Sequence, residues 1–96
     1  MILYNISIIV DDDSHDEMLV WVRQLLYATP HDAHFLKMLD NPHEGTTYCI
    51  QVMGEDELKI TKVQQDITQA VQDYIGRHHH GKAFIFESKM EYLPFQ

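Results

Sequence analysis

One cysteine, one tryptophan, three prolines and four glycines occur among the 96 residues, and 7 Lys+Arg stand against 15 Asp+Glu. Each scarcity excludes something. The lone Cys49 has no partner for an intrachain disulfide, so nothing argues against a reducing cytoplasm, the compartment expected here. No linker, repeat or low-complexity tract interrupts the chain. The shortage of cations leaves a formal charge of −8, which repels a phosphate backbone, and no nucleic acid partner is expected. The apolar opening MILYNISIIV is too short to span a bilayer and lacks the basic leader of a signal peptide, so no membrane partner is expected either. Gly-rich phosphate loops, a Gly-x-Ser-x-Gly elbow and a dinucleotide fingerprint are all missing.

What is present is 45% hydrophobic residues, 23% charged residues and seven histidines. That composition describes one small globular domain over residues 1–96, marginal enough in core size that pairing with a second copy is a natural source of stability. Full protonation of the histidines would bring the charge to about −1 as pH falls through the ordinary imidazole range near 6.5, so self-association is expected to respond to mild acid.

The pattern of apolar residues gives the elements. In ILYNISIIV, Ile2, Tyr4, Ile6, Ile8 and Val10 alternate with Leu3, Asn5, Ser7 and Ile9, which is the period of a strand. The acidic stretch VDDDSHDE then precedes Met18, Trp21, Val22, Leu25 and Leu26 at helical spacing, with Pro30 as the stop. Ser14 and Glu17 fit a capping box, and Asp16 and Glu17 sit where a helix dipole favours negative charge. A cation site at Asp11, Asp13 and His15 is the alternative use of these acids.

Ala33 to Leu39 and Thr46 to Met53 read as two strands of a hairpin joined by DNPHEG. From Asp56 to Ile75, the residues Ile60, Val63, Ile67, Ala70, Val71 and Tyr74 form a second helical stripe, with Gly76 as its terminator. Lys82 to Met90 alternates once more. The order is β-α-β-β-α-β, the split arrangement of ferredoxin-like α+β folds: a four-stranded antiparallel sheet with two helices on one face. The helix-facing side is expected to carry Ile2, Tyr4, Ile6, Ile8, Tyr48, Ile50, Val52, Phe84 and Phe86. The opposite side is expected to mix Leu3, Ile9, Met53 and Ile85 with Asn5, Ser7, Gln51 and Glu87, a surface suited to a homodimer contact.

MILYNISIIVDDDSHDEMLVWV, GTTYCIQV and FIFESKMEYL together resemble a family of small bacterial proteins known as a domain of unknown function. The resemblance runs through Tyr4, Asn5, Val10, Asp11, His15, Asp16, Glu17, Trp21, Tyr48, Gln51 and Phe86. It implies a ferredoxin-like domain of the dimeric α/β-barrel type and supplies no activity. Fold alone gives none, since this architecture serves monooxygenases, haem degraders, sensors and dimerisation modules. Enzymes of that shape often place an asparagine on the first strand, as Asn5 is here, and a tryptophan on a later strand, where this chain has none.

Four residues are candidates for a ligand pocket: Asn5, His15, Tyr48 and Gln51. For Asn5 the bland alternative is a hydrogen bond across a dimer interface. His15 and Asp16, as neighbours at a helix start, are not expected to face each other. RHHHGK makes His78, His79 and His80 weak metal candidates, because imidazoles ligate Zn, Ni and Cu. Consecutive residues point apart, however, and a solvated loop at the helix end accounts for the run. A site assembled across a dimer from His31, His34 or His43 is a further alternative. Cys49 reads as an ordinary thiol. No catalytic residue and no cofactor is expected.

The functional expectation is a homodimeric binding or assembly module without catalytic chemistry, with itself and a small molecule as partners. The alternative is a cofactor-poor monooxygenase or isomerase acting on a small aromatic or oxo compound in a pocket between helices and sheet.

Overall fold

The computed structural model describes residues 1–95. Its elements run β1 (Ile2–Val10), α1 (His15–Ala28), β2 (Ala33–Lys37), β3 (Thr46–Gly54), α2 (Glu57–Val63), a π-helical turn (Gln64–Thr68), α3 (Gln69–His78) and β4 (Ala83–Glu91). The four strands form one antiparallel sheet in the order β2-β3-β1-β4. This is the ferredoxin-like arrangement expected from the element order.

The core lies between the sheet and the helices. Tyr4, Ile6, Ile8 and Val10 of β1, Ile50 and Val52 of β3, Met18 and Val22 of α1, and Ile60, Val63, Ile67 and Val71 of the second helical stretch are all buried. Trp21, Leu25, Leu26, Phe35, Tyr48 and Ile85 pack around them. β1 supplies a buried side chain at every second residue because it is a central strand, and the helices close over that row.

β4 departs from expectation. Ile8 pairs with Ile85 and Ile9 with Phe84, so Ile85 and Glu87 face the helices while Phe84 and Phe86 lie on the open side. Those two rings remain 54% and 59% exposed. Period-two alternation separates two faces without saying which is inward, and both faces of this strand carry large apolar groups. Pairing with β1 decides the matter: the small Ala83 and the branched Ile85 continue the core row from Val10 and Ile8.

The helix ends also differ from the sequence reading. Ser14 is the N-cap of α1, but its side chain makes no capping bond; its own N–H donates to Asp11 Oδ1 at 2.9 Å, closing the acidic turn. The capping-box expectation is therefore replaced by a side-chain-to-backbone bond three residues long that ends at Ser14. α2 has a true side-chain cap, with Asp56 Oδ1 accepting from Lys59 N–H at 3.0 Å. Gly76 does not terminate the last helix, which continues through His78 and hands over to β4 at His79, whose N–H still donates to Ile75 O.

The π-helical turn has no counterpart in the apolar pattern. It places Ile67 and Thr68 side by side in the interior, where the Tyr4 hydroxyl and Thr68 Oγ1 lie 2.6 Å apart. A wider turn rotates one extra residue inward, which is how a polar group reaches the buried phenol. In the β2–β3 connection, Gly45 has φ +84, and a Cβ there would lie 2.4 Å from the Val10 carbonyl oxygen. Only glycine fits that turn. Among the described residues no helix is long and apolar enough to cross a membrane.

Candidate functional site

The four pocket candidates fall into two pairs on opposite sides of the sheet. Asn5 and Gln51 pair across β1 and β3 on the open face. Gln51 Nε2 donates to Asn5 Oδ1 at 3.1 Å, and Asn5 Nδ2 donates to Ser7 Oγ at 3.0 Å. Ser7 Oγ in turn lies 3.7 Å from Cys49 Sγ. A polar chain thus crosses the middle of the open face. Apolar groups surround it: Leu36 and Met38 on the β2 side, Met53 on β3, and Phe84, Phe86 and Met90 on β4, all exposed.

His15 and Tyr48 meet on the helix side, at the start of α1. His15 Nε2 is 2.7 Å from the Tyr48 hydroxyl, and His15 Nδ1 is 2.9 Å from Asp16 Oδ1. The carboxylate can only accept, so Nδ1 carries a proton and neutral His15 accepts the Tyr48 hydroxyl hydrogen at Nε2. The expectation that His15 and Asp16 turn away from each other is corrected: the Asp16 side chain, fully exposed, bends back along the first turn to reach the ring. Phe35 stacks on the other side of Tyr48 at 5.2 Å. This chain has the nucleophile–base–orienter order of a relay, and it fastens the start of α1 to β3.

A third polar chain escaped the sequence reading. His31 Nδ1 lies 2.9 Å from Lys59 Nζ, and His31 Nε2 lies 2.7 Å from Asp66 Oδ2. The ammonium can only donate, so His31 presents Nε2–H to the carboxylate and ties the segment before β2 to α2 and to the π-helical turn. His31 is thereby engaged within its own chain.

The histidine run separates. His78 and His80 are exposed, but His79 is only 4% exposed, so the run is not a uniformly solvated loop. The backbone explains the burial: the His79 carbonyl accepts from Lys82 N–H and Ala83 N–H, which draws the residue under the turn into β4. Its ring lies 5.2 Å from Tyr74, which itself stacks on Trp21 at 4.0 Å. Its Nε2 has no hydrogen-bond partner and faces Glu17 Oε1 at 3.7 Å. Burial, with Glu17 beside it, raises the Tyr74 hydroxyl above its ordinary value of 10.0. Among the described residues no three His, Cys, Asp or Glu side chains come together as a metal site, so neither His78, His79 and His80 nor Asp11, Asp13 and His15 converge.

A cleft of about 510 Å³ lies at one end of the sheet, away from all four candidates, lined by Met1, Met53, Leu58, Lys59 and Lys62 together with the turn into α2. No alternation or motif marks it, because it is assembled from a strand start, a strand end and a helix start that are distant in sequence.

The family model for a domain of unknown function, DUF4286, matches residues 1–93. The chain belongs to the DUF4286 family. No curated protein matches it. This DUF4286 chain is similar in structure to an ethyl tert-butyl ether d (ethd) family protein from Bacillus halodurans, TM-score 0.62 at 12% identity, covering 95% and 100% of the two chains. It is also similar to an antibiotic biosynthesis monooxygenase, TM-score 0.60 at 16% identity, covering 98% and 100%. A third is a dabb family protein with a ferredoxin-like fold from Mesorhizobium loti, TM-score 0.57 at 10% identity, covering 98% and 100%. At such identities the likeness is one of fold.

Proposed function

We propose that this DUF4286 protein is a single ferredoxin-like domain over residues 1–96 that works as a cytoplasmic homodimer, a binding or assembly module with no catalytic chemistry of its own. The supporting observation is the open sheet face, where Phe84, Phe86, Met53, Leu36 and Met90 surround the Gln51–Asn5–Ser7–Cys49 chain. An apolar surface of this kind is the usual mark of a contact with another molecule. Its centre also suits a second copy. A primary amide presents a donor and an acceptor, so Asn5 and Gln51 can answer their own counterparts across a two-fold axis without leaving a buried group unpaired.

The alternative enzymatic reading requires a pocket between helices and sheet. Tyr4, Ile6, Ile50, Val52, Ile60, Val63, Ile67 and Val71 fill that space, all almost fully buried, so the packing gives it no support.

The reading is tested by light scattering after gel filtration, at micromolar concentration, on the wild type and on Phe86→Asp. A wild-type dimer that Phe86→Asp converts to a folded monomer is the expected result, because a carboxylate buried in an apolar contact has no partner there. A monomeric wild type would overturn it.

A further inference from the structure

The far half of β4 is uncovered. From Glu87 to Glu91 every residue is exposed, and Tyr92, Leu93 and Phe95 follow it without regular secondary structure. Leu93 is 73% exposed and Phe95 94% exposed, so neither side chain finds a place on its own chain. Pro94 between them removes a backbone donor and holds φ near the extended range, which keeps the segment from folding back as a helix. The result is an arm carrying two large apolar groups into solvent.

The arm leaves the sheet at the end where the open cleft lies. Tyr92 N–H donates to the Met1 carbonyl at 3.0 Å, and Met1 also lines the cleft. Across the open face at that end, Met53, Leu3 and Met90 stand in one row on β3, β1 and β4, so the apolar floor is continuous from the base of the arm to the cleft wall. The cleft wall itself is Met53 and Leu58, both exposed, with Lys62 at the rim.

The strand order connects the two. A two-fold axis between facing sheets, running along the strands, reverses the lateral order of the strands and keeps the same ends together. It thus turns the β4 edge of one copy toward the half of the other sheet that holds β2 and β3. The arm of one copy then arrives at the end and on the half of the partner's sheet where the cleft lies.

We propose that the segment Leu93 to Phe95 of one protomer seats in the Met1–Met53–Leu58 cleft of a second copy, with the Phe95 ring as its anchor. The proposal rests on the homodimer reading above and adds to it a contact that reaches outside the sheet faces. Met53 and Met1 suit such an occupant, because unbranched thioether side chains adapt to an aromatic ring and make favourable sulfur–aromatic contacts. The Lys62 ammonium at the rim adds a cation for the ring face.

The test uses the full chain with Cys49→Ser, carrying Leu58→Cys, Leu93→Cys or both so that the Phe95 ring is kept, oxidised at micromolar concentration and weighed by denaturing and native mass spectrometry. Leu58 and Leu93 are exposed and Cys49→Ser exchanges a single atom, so the fold is retained, and circular dichroism checks it. The expected result is a covalent dimer in the double variant, monomers under denaturing conditions in each single variant, and a roughly tenfold weaker dimer in a separate Phe95→Ala protein. A native dimer whose two thiols stay free would overturn the arm and leave the dimer standing. An intrachain disulfide, seen as the loss of two hydrogens at monomer mass, would place the arm in its own cleft and overturn the exchange. A native monomer would overturn the dimer reading and this proposal with it.

Discussion

Tyr4 shows what one side chain in the interior controls. Its ring is fully buried, and its hydroxyl is matched to Thr68 at 2.6 Å. Tyr4→Phe keeps the ring and leaves the Thr68 hydroxyl without its partner, which costs about 1–2 kcal/mol in urea unfolding at neutral pH. The same group sets an alkaline limit. Burial, with Glu87 acting in the same direction, raises the Tyr4 hydroxyl above its ordinary value of 10.0, against a smaller opposing effect of the Thr68 bond. The neutral phenol is therefore favoured in the folded state. Its contribution is complete below pH 10 and is lost as pH rises from there through the raised folded value. Wild-type stability is expected to fall more steeply above pH 10 than that of Tyr4→Phe, and parallel curves would refute the assignment. The sequence placed Tyr4 in the core by its strand period, but it held no sign of Thr68, because that meeting depends on the extra residue in the π-helical turn. His79 was illegible for a similar reason: three consecutive histidines read alike until the turn into β4 buries one of them.

At the scale of elements, the two helix starts make a controlled pair. Asp56 accepts a backbone N–H with its side chain, whereas the Ser14 side chain makes no capping bond. Asp56→Ala is expected to lower stability by about 1 kcal/mol and Ser14→Ala by less than about 0.5 kcal/mol, measured as shifts in urea midpoint at constant slope. Equal effects would mean that Ser14 caps α1 in solution. All four strands and both helical stretches were legible, with ends displaced by a few residues, since hydrophobic period carries element type far better than it carries termini or a π-helical turn within a helix. The face of β4 was not legible. AFIFESKM offers aromatic rings to one side and Ala83 and Ile85 to the other, and only the register with Val10 and Ile8 chooses between them. The correction strengthens the open face as a contact surface, because it moves two phenyl rings onto it.

For the molecule as a whole, charge opposes the proposed assembly. Each copy carries −8, and two copies brought face to face repel at long range. Raising salt from about 10 mM to about 150 mM shortens the screening length from about 30 Å to about 8 Å, so the dimer dissociation constant is expected to fall severalfold across that range. Sedimentation equilibrium at both salts measures it, and a constant that rises instead would point to an interface held by ion pairs. The candidate pairs Asn5 with Gln51 and His15 with Tyr48 were each found among residues singled out in sequence, but their separation onto two faces emerged only from the register and from the position of α1.

The strand order has a consequence during synthesis. β1 lies in the middle of the sheet, with Ile2 paired to Gly54 on one side and to Glu91 on the other. A ribosome releases this Ile-rich strand before either neighbour exists, and its second edge stays open until β4 has emerged. Until then it is an apolar ribbon with free backbone donors and acceptors, the kind of segment that chaperones hold and that aggregates when they are scarce.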